Sequence, residues 1–194
     1  MLVALAFALL FAPQRTAESR RRLWRLGAMM AAQQGAISLH NDWCDRHLDA
    51  TAKPWRAIPR GLAPASAVRV AAWVLGAVSI VPAWPIGTRL VVLDVIGLGA
   101  GFLYNARLKR TRWSWLPFAT AFPLLPLFGA TALGAWPRLW WSLFLVGAPA
   151  VLAIHLADTI PDLEGDAGSG VQGLAHRLGA PRARRVCLGA LAGA

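Results

Sequence analysis

LGAMMAAQQGAISLH, Leu26 to His40, runs straight into NDWCDRHLDA, Asn41 to Ala50. No charge falls between Arg25 and Asp42, and then Asp42, Asp45 and Asp49 arrive together. A bilayer core about 30 Å thick takes ~20 apolar residues of helix, within a range of about 17–25. Further uncharged runs follow at 70–88, at 90–106 interrupted only by Asp94, at 113–137 and at 139–157. Each is bounded by Arg, Lys, Asp or a Pro/Gly turn. Hydrophobic residues make up 57% of the 194, mean hydropathy is +0.49, and only 15% are charged. A soluble domain carries about 25% charge, and buried soluble helices rarely repeat at this length without a polar face. The fold class is therefore all-α, a polytopic transmembrane helical bundle.

The expected segments are 1–12, 26–41, 66–83, 87–106, 114–134, 139–157 and an apolar start at 186–194, which makes six or seven helices. Both ends of the sequence stop inside an apolar stretch, so the chain reads as a single membrane-embedded domain, 1–194, truncated at both ends. Cys44 and Cys187 show neither metal spacing nor a disulfide framework. The net charge of +11 suggests nucleic acid at first sight, but the basic residues lie in the loops between apolar runs. Successive loops hold four, one, four, one and four of them: Arg46, Lys53, Arg56 and Arg60; Arg89; Arg107, Lys109, Arg110 and Arg112; Arg138; Arg177, Arg182, Arg184 and Arg185. In a membrane protein this alternation sets topology, with the richer loops in the cytoplasm. One stretch dissents. Arg15, Arg20, Arg21, Arg22 and Arg25 fall on the outer side, unless residues 1–12 do not cross. Tryptophans mark the segment ends, with Trp84, Trp136, Trp140 and Trp141 outside and Trp43, Trp55, Trp113 and Trp115 inside.

The acids are the most informative residues. There are nine, and seven of them fall in two clusters, NDWCDRHLD and DTIPDLEGD, Asp158 to Asp166. Asn41 and Asp158, Asp45 and Asp162, and Asp49 and Asp166 are each 117 positions apart. Each cluster thus follows i, i+4, i+8, with Asp42 and Glu164 as additional acids, and on a helix residues four apart share a face. Like charges one turn apart repel; a divalent cation removes that penalty. Mg²⁺ takes hard oxygen ligands and commonly binds through one or two carboxylates plus substrate phosphates. Two facing carboxylate lines could therefore clamp a diphosphate. The competing reading is a solvated acidic loop balancing nearby arginines. Tyr104, Asn105, Lys109 and Arg110 end the 87–106 segment on the same side, where donors could stabilise a departing anion. Basic residues there also serve as topology determinants, and Arg56 and Arg60 have the same double reading.

These residues resemble the UbiA-type intramembrane prenyltransferases. NDWCDRHLD resembles that family's first motif, NDxxDxxxD, and DTIPDLEGD its second, DxxxDxxxD. RAIPRGLAPASA resembles the stretch after the first motif, and YNARLKR the Tyr…Lys-Arg signature after the fourth helix. The resemblance covers about 40–180 and departs from the pattern at Ala57, at Ala167 and near Gln172 and Gly173. It implies a fold of nine transmembrane helices when complete, with cytoplasmic cap loops here at about 41–65 and 158–185. It implies an enzyme that transfers alkyl or aryl groups other than methyl: an isoprenyl chain moves from a prenyl diphosphate to an acceptor, often aromatic or lipid-soluble, with Mg²⁺ as cofactor. By position, Asn41, Asp42, Asp45, Asp49, Asp158, Asp162 and Asp166 would bind metal, and Arg56, Tyr104, Lys109 and Arg110 would hold the diphosphate. Asp45, Asp162, Tyr104 and Lys109 would carry the catalysis. Partners are the two substrates and the lipid bilayer, with no nucleic acid and no obligate protein partner; a prokaryotic host would put the chain in the cell membrane. The alternatives are an inactive family fragment and a divalent-cation transporter.

Other polar residues have weaker claims. His40 and His155 read as hydrogen-bonded helix-end histidines, or as acid–base partners of neighbouring aspartates; His47 and His176 read as loop residues. Asp94 lies in the outer third of its segment, with Arg89 as its expected partner, and is left outside the site. Pro117, Pro123 and Pro126 are expected to be structural kinks.

Overall fold

The computed structural model describes residues 16–163 and 173–193, excepting the side chain of Asp162. Residues 1–12, Arg15, Glu164, Asp166, Ala167 and Gln172, named above, lie outside the described residues. Among the described residues there are seven α-helices: α1 Ala17–Ala52, α2 Ala65–Ala83, α3 Thr88–Ala106, α4 Leu116–Ala132, α5 Ser142–Thr159, α6 Leu174–Leu178 and α7 Ala180–Ala192. Two 3₁₀ turns, Leu108–Arg110 and Pro161–Leu163, follow α3 and α5. Among the described residues there is no strand. The all-α expectation is met.

α1 has 36 residues, and at 1.5 Å per residue it is about 54 Å long, well beyond a bilayer core. Thr16 caps its start, accepting the Ser19 amide at 3.1 Å, and Glu18 in the first turn pairs with Arg22 at 2.9 Å. Pro54 follows its end at Lys53, where a residue lacking an N–H cannot continue the ladder. The first acidic motif therefore continues the helix. Of the expected cap loop 41–65, the part from Asn41 to Ala52 is helical, and the turns begin at Lys53. Arg20, Arg21, Arg22 and Arg25 sit on the same helix at the end away from the motif.

α2, α3 and α5 are long and apolar enough to cross a membrane, and α4 is a shorter apolar helix. Their outward faces stay apolar: Val70, Trp73, Val78, Val92, Val95, Leu145 and Ile154 are exposed. A soluble bundle would bury these side chains, whereas lipid accepts them. This is an integral membrane protein. α4 continues as helix through Pro123 and Pro126.

α1 packs against α2 and α3, and the chain then proceeds by neighbours, α3 on α4, α4 on α5 and α5 on α7. Leu26, Met29, Met30, Leu90, Leu93, Leu124, Leu127 and Phe128 form the main core, toward the arginine end of α1. The α1–α3 approach depends on missing side chains. A Cβ on Gly101 would lie 2.7–3.0 Å from three atoms of Ile37, and one on Gly97 would lie 2.8 Å from Gln33 Nε2. Overpacking of this kind typically costs about 1–3 kcal/mol. Gly101→Ala is thus expected to lower the thermal midpoint in detergent by several degrees; an unchanged midpoint would mean that the helices separate freely.

Candidate functional site

Asn41, Asp45 and Asp49 occupy one face of α1 at successive turns, as the spacing predicts. Asp45 and Asp49 are buried, and Asn41 and Asp42 are half-buried. Each acid meets a cation from elsewhere in the chain. Lys109, in the 3₁₀ turn after α3, donates to Asp45 Oδ2 at 2.5 Å and to Asn41 Oδ1 at 3.2 Å. Arg110 Nη2 approaches Asp45 Oδ1 at 3.6 Å. Arg56, in the turns after α1, donates to Asp42 and lies 3.7 Å from Asp49 Oδ2. A short turn after α3 is what lets one residue point back at α1: Asn105 ties the end of α3 to the Ile37 carbonyl at 2.9 Å, and Lys109 follows one turn later.

These pairs put three cationic groups, Lys109, Arg110 and Arg56, and three carboxylates side by side in a small volume. Among the described residues, no three His, Cys, Asp or Glu side chains are gathered as a metal cluster. The oxygens present are nonetheless the hard donors a small divalent cation takes, in the one- or two-carboxylate manner of Mg²⁺.

Below the charged cluster a cavity of about 390 Å³ enters the bundle. Asn41, Arg56, Tyr104 and Asn105 line its mouth; Phe118, Phe122, Leu125 and Phe128 of α4 line one wall, and Gln33, Gln34, Gly97 and Gly101 the other. The Tyr104 ring stands edge-on to Phe118 at 4.8 Å, and Phe118 in turn packs on His155 at 5.2 Å. His155 and Ser114 share a 3.0 Å hydrogen bond, and Ser114 also accepts the Leu174 amide at 3.2 Å. That clasp joins α5, just before Asp158, to the chain that returns at Gly173.

Several expectations need correction. α5 stops at Thr159, and Asp162 lies beyond it in the Pro161–Leu163 turn, so Asp158 and Asp162 do not share a continuous α-helical face. Pro161 has no N–H for the bond that would extend α5. Asp158 is exposed. Asp94 does not pair with Arg89, whose guanidinium lies over the Trp136 ring at 5.2 Å. It is fully buried, accepting from Gln33 Nε2 at 2.7 Å, with Ser79 Oγ at 2.6 Å. His47 and His176 are helical, in α1 and α6. His40 is stacked on Phe102 at 4.1 Å, between α1 and α3. The residues missed altogether were Gln33 and Gln34. Their signal was visible as two adjacent amides inside an otherwise apolar membrane segment.

Cys44 lies beside Asp45. Burial pushes its thiol up, and the Asp45 charge adds to the effect. Less thiolate forms at a given pH, so its alkylation by maleimide is expected to be slow at pH 7 and still accelerating at pH 9. Peptide mass spectrometry would read this, and saturation at neutral pH would contradict the buried setting.

With this geometry in place, four likenesses carry weight. Residues 1–194 match the model of the UbiA prenyltransferase family. The chain is 35% identical over 156 residues to a bacteriochlorophyll synthase 33 kDa chain of Cereibacter sphaeroides, covering 75% of this chain and 50% of that one. It is 30% identical over 154 residues to the Rhodobacter capsulatus protein of the same name, covering 72% and 49%. The chain thus spans about half the length of these curated relatives. In fold it is similar to the apo structure of a UbiA homolog from Aeropyrum pernix K1, with a TM-score of 0.76 at 18% identity, covering 98% of this chain and 72% of that one.

Proposed function

The chain belongs to the UbiA prenyltransferase family, and we propose that it transfers an isoprenyl group from a prenyl diphosphate to an acceptor within the membrane. One observation carries the reading: Lys109, Arg110 and Arg56 are held by Asp45, Asn41, Asp42 and Asp49 at the mouth of an aromatic-lined cavity. A diphosphate at the mouth would find cationic donors, and its isoprenoid chain would find an apolar wall. The two bacteriochlorophyll synthase chains make a pigment precursor the first acceptor to try.

In this mechanism the carboxylates of α1 orient the cations before substrate arrives. Lys109, Arg110 and Arg56 then donate to the diphosphate as negative charge develops on it, which is where preorganised donors lower a barrier. The bond between the first isoprenoid carbon and the bridging oxygen breaks, and its electron pair stays on the diphosphate. Tyr104, between the mouth and Phe118, helps to hold the leaving group. The allylic cation is captured by the acceptor's nucleophilic atom. Asn41, Asp42, Asp45 and Asp49, with Asp158, Asp162 and Asp166 of the second motif, would hold Mg²⁺. When bound, the metal supplies further positive charge toward the diphosphate. The motifs are assigned to the cytoplasmic side, from the alternation of basic loops.

A cation transporter would need acids along a mid-membrane path, and the acid inside α3, Asp94, is occupied by Gln33 and Ser79. Proteoliposomes separate the two readings. Prenyl diphosphate consumption with no Mn²⁺ flux supports the transferase; Mn²⁺ flux independent of diphosphate would contradict it.

A further inference from the structure

The two walls of the cavity differ in chemistry, and Gln33 is the reason. Its Nε2 donates to the Asp94 backbone carbonyl at 3.2 Å and to Asp94 Oδ1 at 2.7 Å, which uses both amide hydrogens. A backbone carbonyl can only accept, so the nitrogen must face Asp94 and the oxygen must face away from it. Asp94 is in turn fixed by Ser79 of α2 at 2.6 Å. Three helices thus hold one amide in one orientation. Among the described residues, Gln33 Oε1 meets only Gln34 Nε2, at 3.5 Å, the long limit of a hydrogen bond. Both glutamines line the cavity, and Gly97 leaves the space that the Gln33 amide occupies.

We infer that Gln33 is a specificity-determining residue: its Oε1 accepts a hydrogen bond from a hydroxyl or N–H group of an aromatic acceptor, with Asp94 as the positioning residue. This rests on the transferase reading above. The site lies eight residues before Asn41, about 12 Å deeper along α1 at 1.5 Å per residue. An isoprenoid chain lying against Gln33 would leave a buried acceptor unpaired. The isoprenoid chain therefore runs along Phe118, Phe122 and Leu125, and the acceptor ring lies against the opposite wall, beside Gln33 and Gln34. A ring bearing a donor would be retained there; the same ring with its donor capped would be discriminated against.

The test uses the full-length protein in nanodiscs with two matched probes, 4-phenylphenol and 4-methoxybiphenyl, measured by equilibrium dialysis. The wild type should bind the phenol about ten-fold tighter, the size of one neutral hydrogen bond. Gln33→Met and Asp94→Leu should bring the two probes within about two-fold of each other, because one removes the acceptor and the other releases it. Asp94→Asn, which can still accept from Nε2, should restore most of the preference. Geranylgeranyl diphosphate binding, measured alongside, shows that each variant is folded. A variant that only loosened the bundle would weaken both probes equally. An undiminished phenol preference in folded Gln33→Met overturns the inference, as does a wild type that does not distinguish the probes. If discrimination depends on Gln33 while the wild type releases no diphosphate from geranylgeranyl diphosphate, the subsite is supported and the transferase reading is what fails.

Discussion

Replacing Asp45 by alanine is expected to abolish prenyl transfer while leaving a folded protein. Asp45 is 5% exposed and, among the described residues, is the one carboxylate that meets both cations of the turn after α3. Without it, Lys109 keeps, among the described residues, only Asn41, and Arg110 loses its contact with Asp45. Donors that must find their geometry during the reaction lose the advantage of preorganisation, and removal of one such element typically costs on the order of 10²–10³ in rate. The proposed loss of a metal ligand adds to this. Asp45→Asn preserves shape and an acceptor for Lys109 but not the charge, so its activity should stay close to that of the alanine variant. Transfer within a few-fold of wild type in Asp45→Ala would remove the first motif from the mechanism. Initial rates with saturating prenyl diphosphate, together with size-exclusion profiles, give the comparison.

Lys109→Met should have the next largest effect, a fall in kcat on the order of 10². Its ammonium bridges two successive turns of the motif, 2.5 Å from Asp45 and 3.2 Å from Asn41. Among the described residues, the substitution also leaves Asp45 with Arg110 as its one cation. Breaking a fully buried ion pair costs about 3–5 kcal/mol; the loss here should be smaller, because Arg110 remains and the Lys109 side chain is 28% exposed. A double variant tells position from charge. If Asp45 acts through Lys109, Asp45→Ala with Lys109→Met should cost little more than Asp45→Ala alone. Additive losses would mean that the two act separately.

The helical face of the first motif was legible because a periodicity of 3.6 continues across the membrane edge, and α1 keeps it to Ala52. The same rule misled for the second motif, where Pro161 ends the ladder between Asp158 and Asp162. Lys109 was legible as a candidate donor from its place at the end of the 87–106 segment; nothing local announced that it would reach Asp45, 64 positions earlier. Asp94 shows the limit most plainly. Arg89 is near in sequence, but five residues on a helix turn the side chain by about 140°, toward another face. The partners that satisfy Asp94 are 61 and 15 positions away on α1 and α2, and only the packing of three helices brings them together. Gln33 belongs to the same class, a polar side chain whose meaning depends on what faces it.

In the proposed reaction the α1 carboxylates and their cations serve a prenyl diphosphate. Membranes containing the full-length protein, supplied with Mg²⁺, radiolabelled geranylgeranyl diphosphate and a pigment-precursor acceptor, test it most directly. A labelled lipid-soluble product is expected from the wild type, and none from Asp45→Ala or Asp162→Ala. Equal product from the wild type and both variants would contradict it.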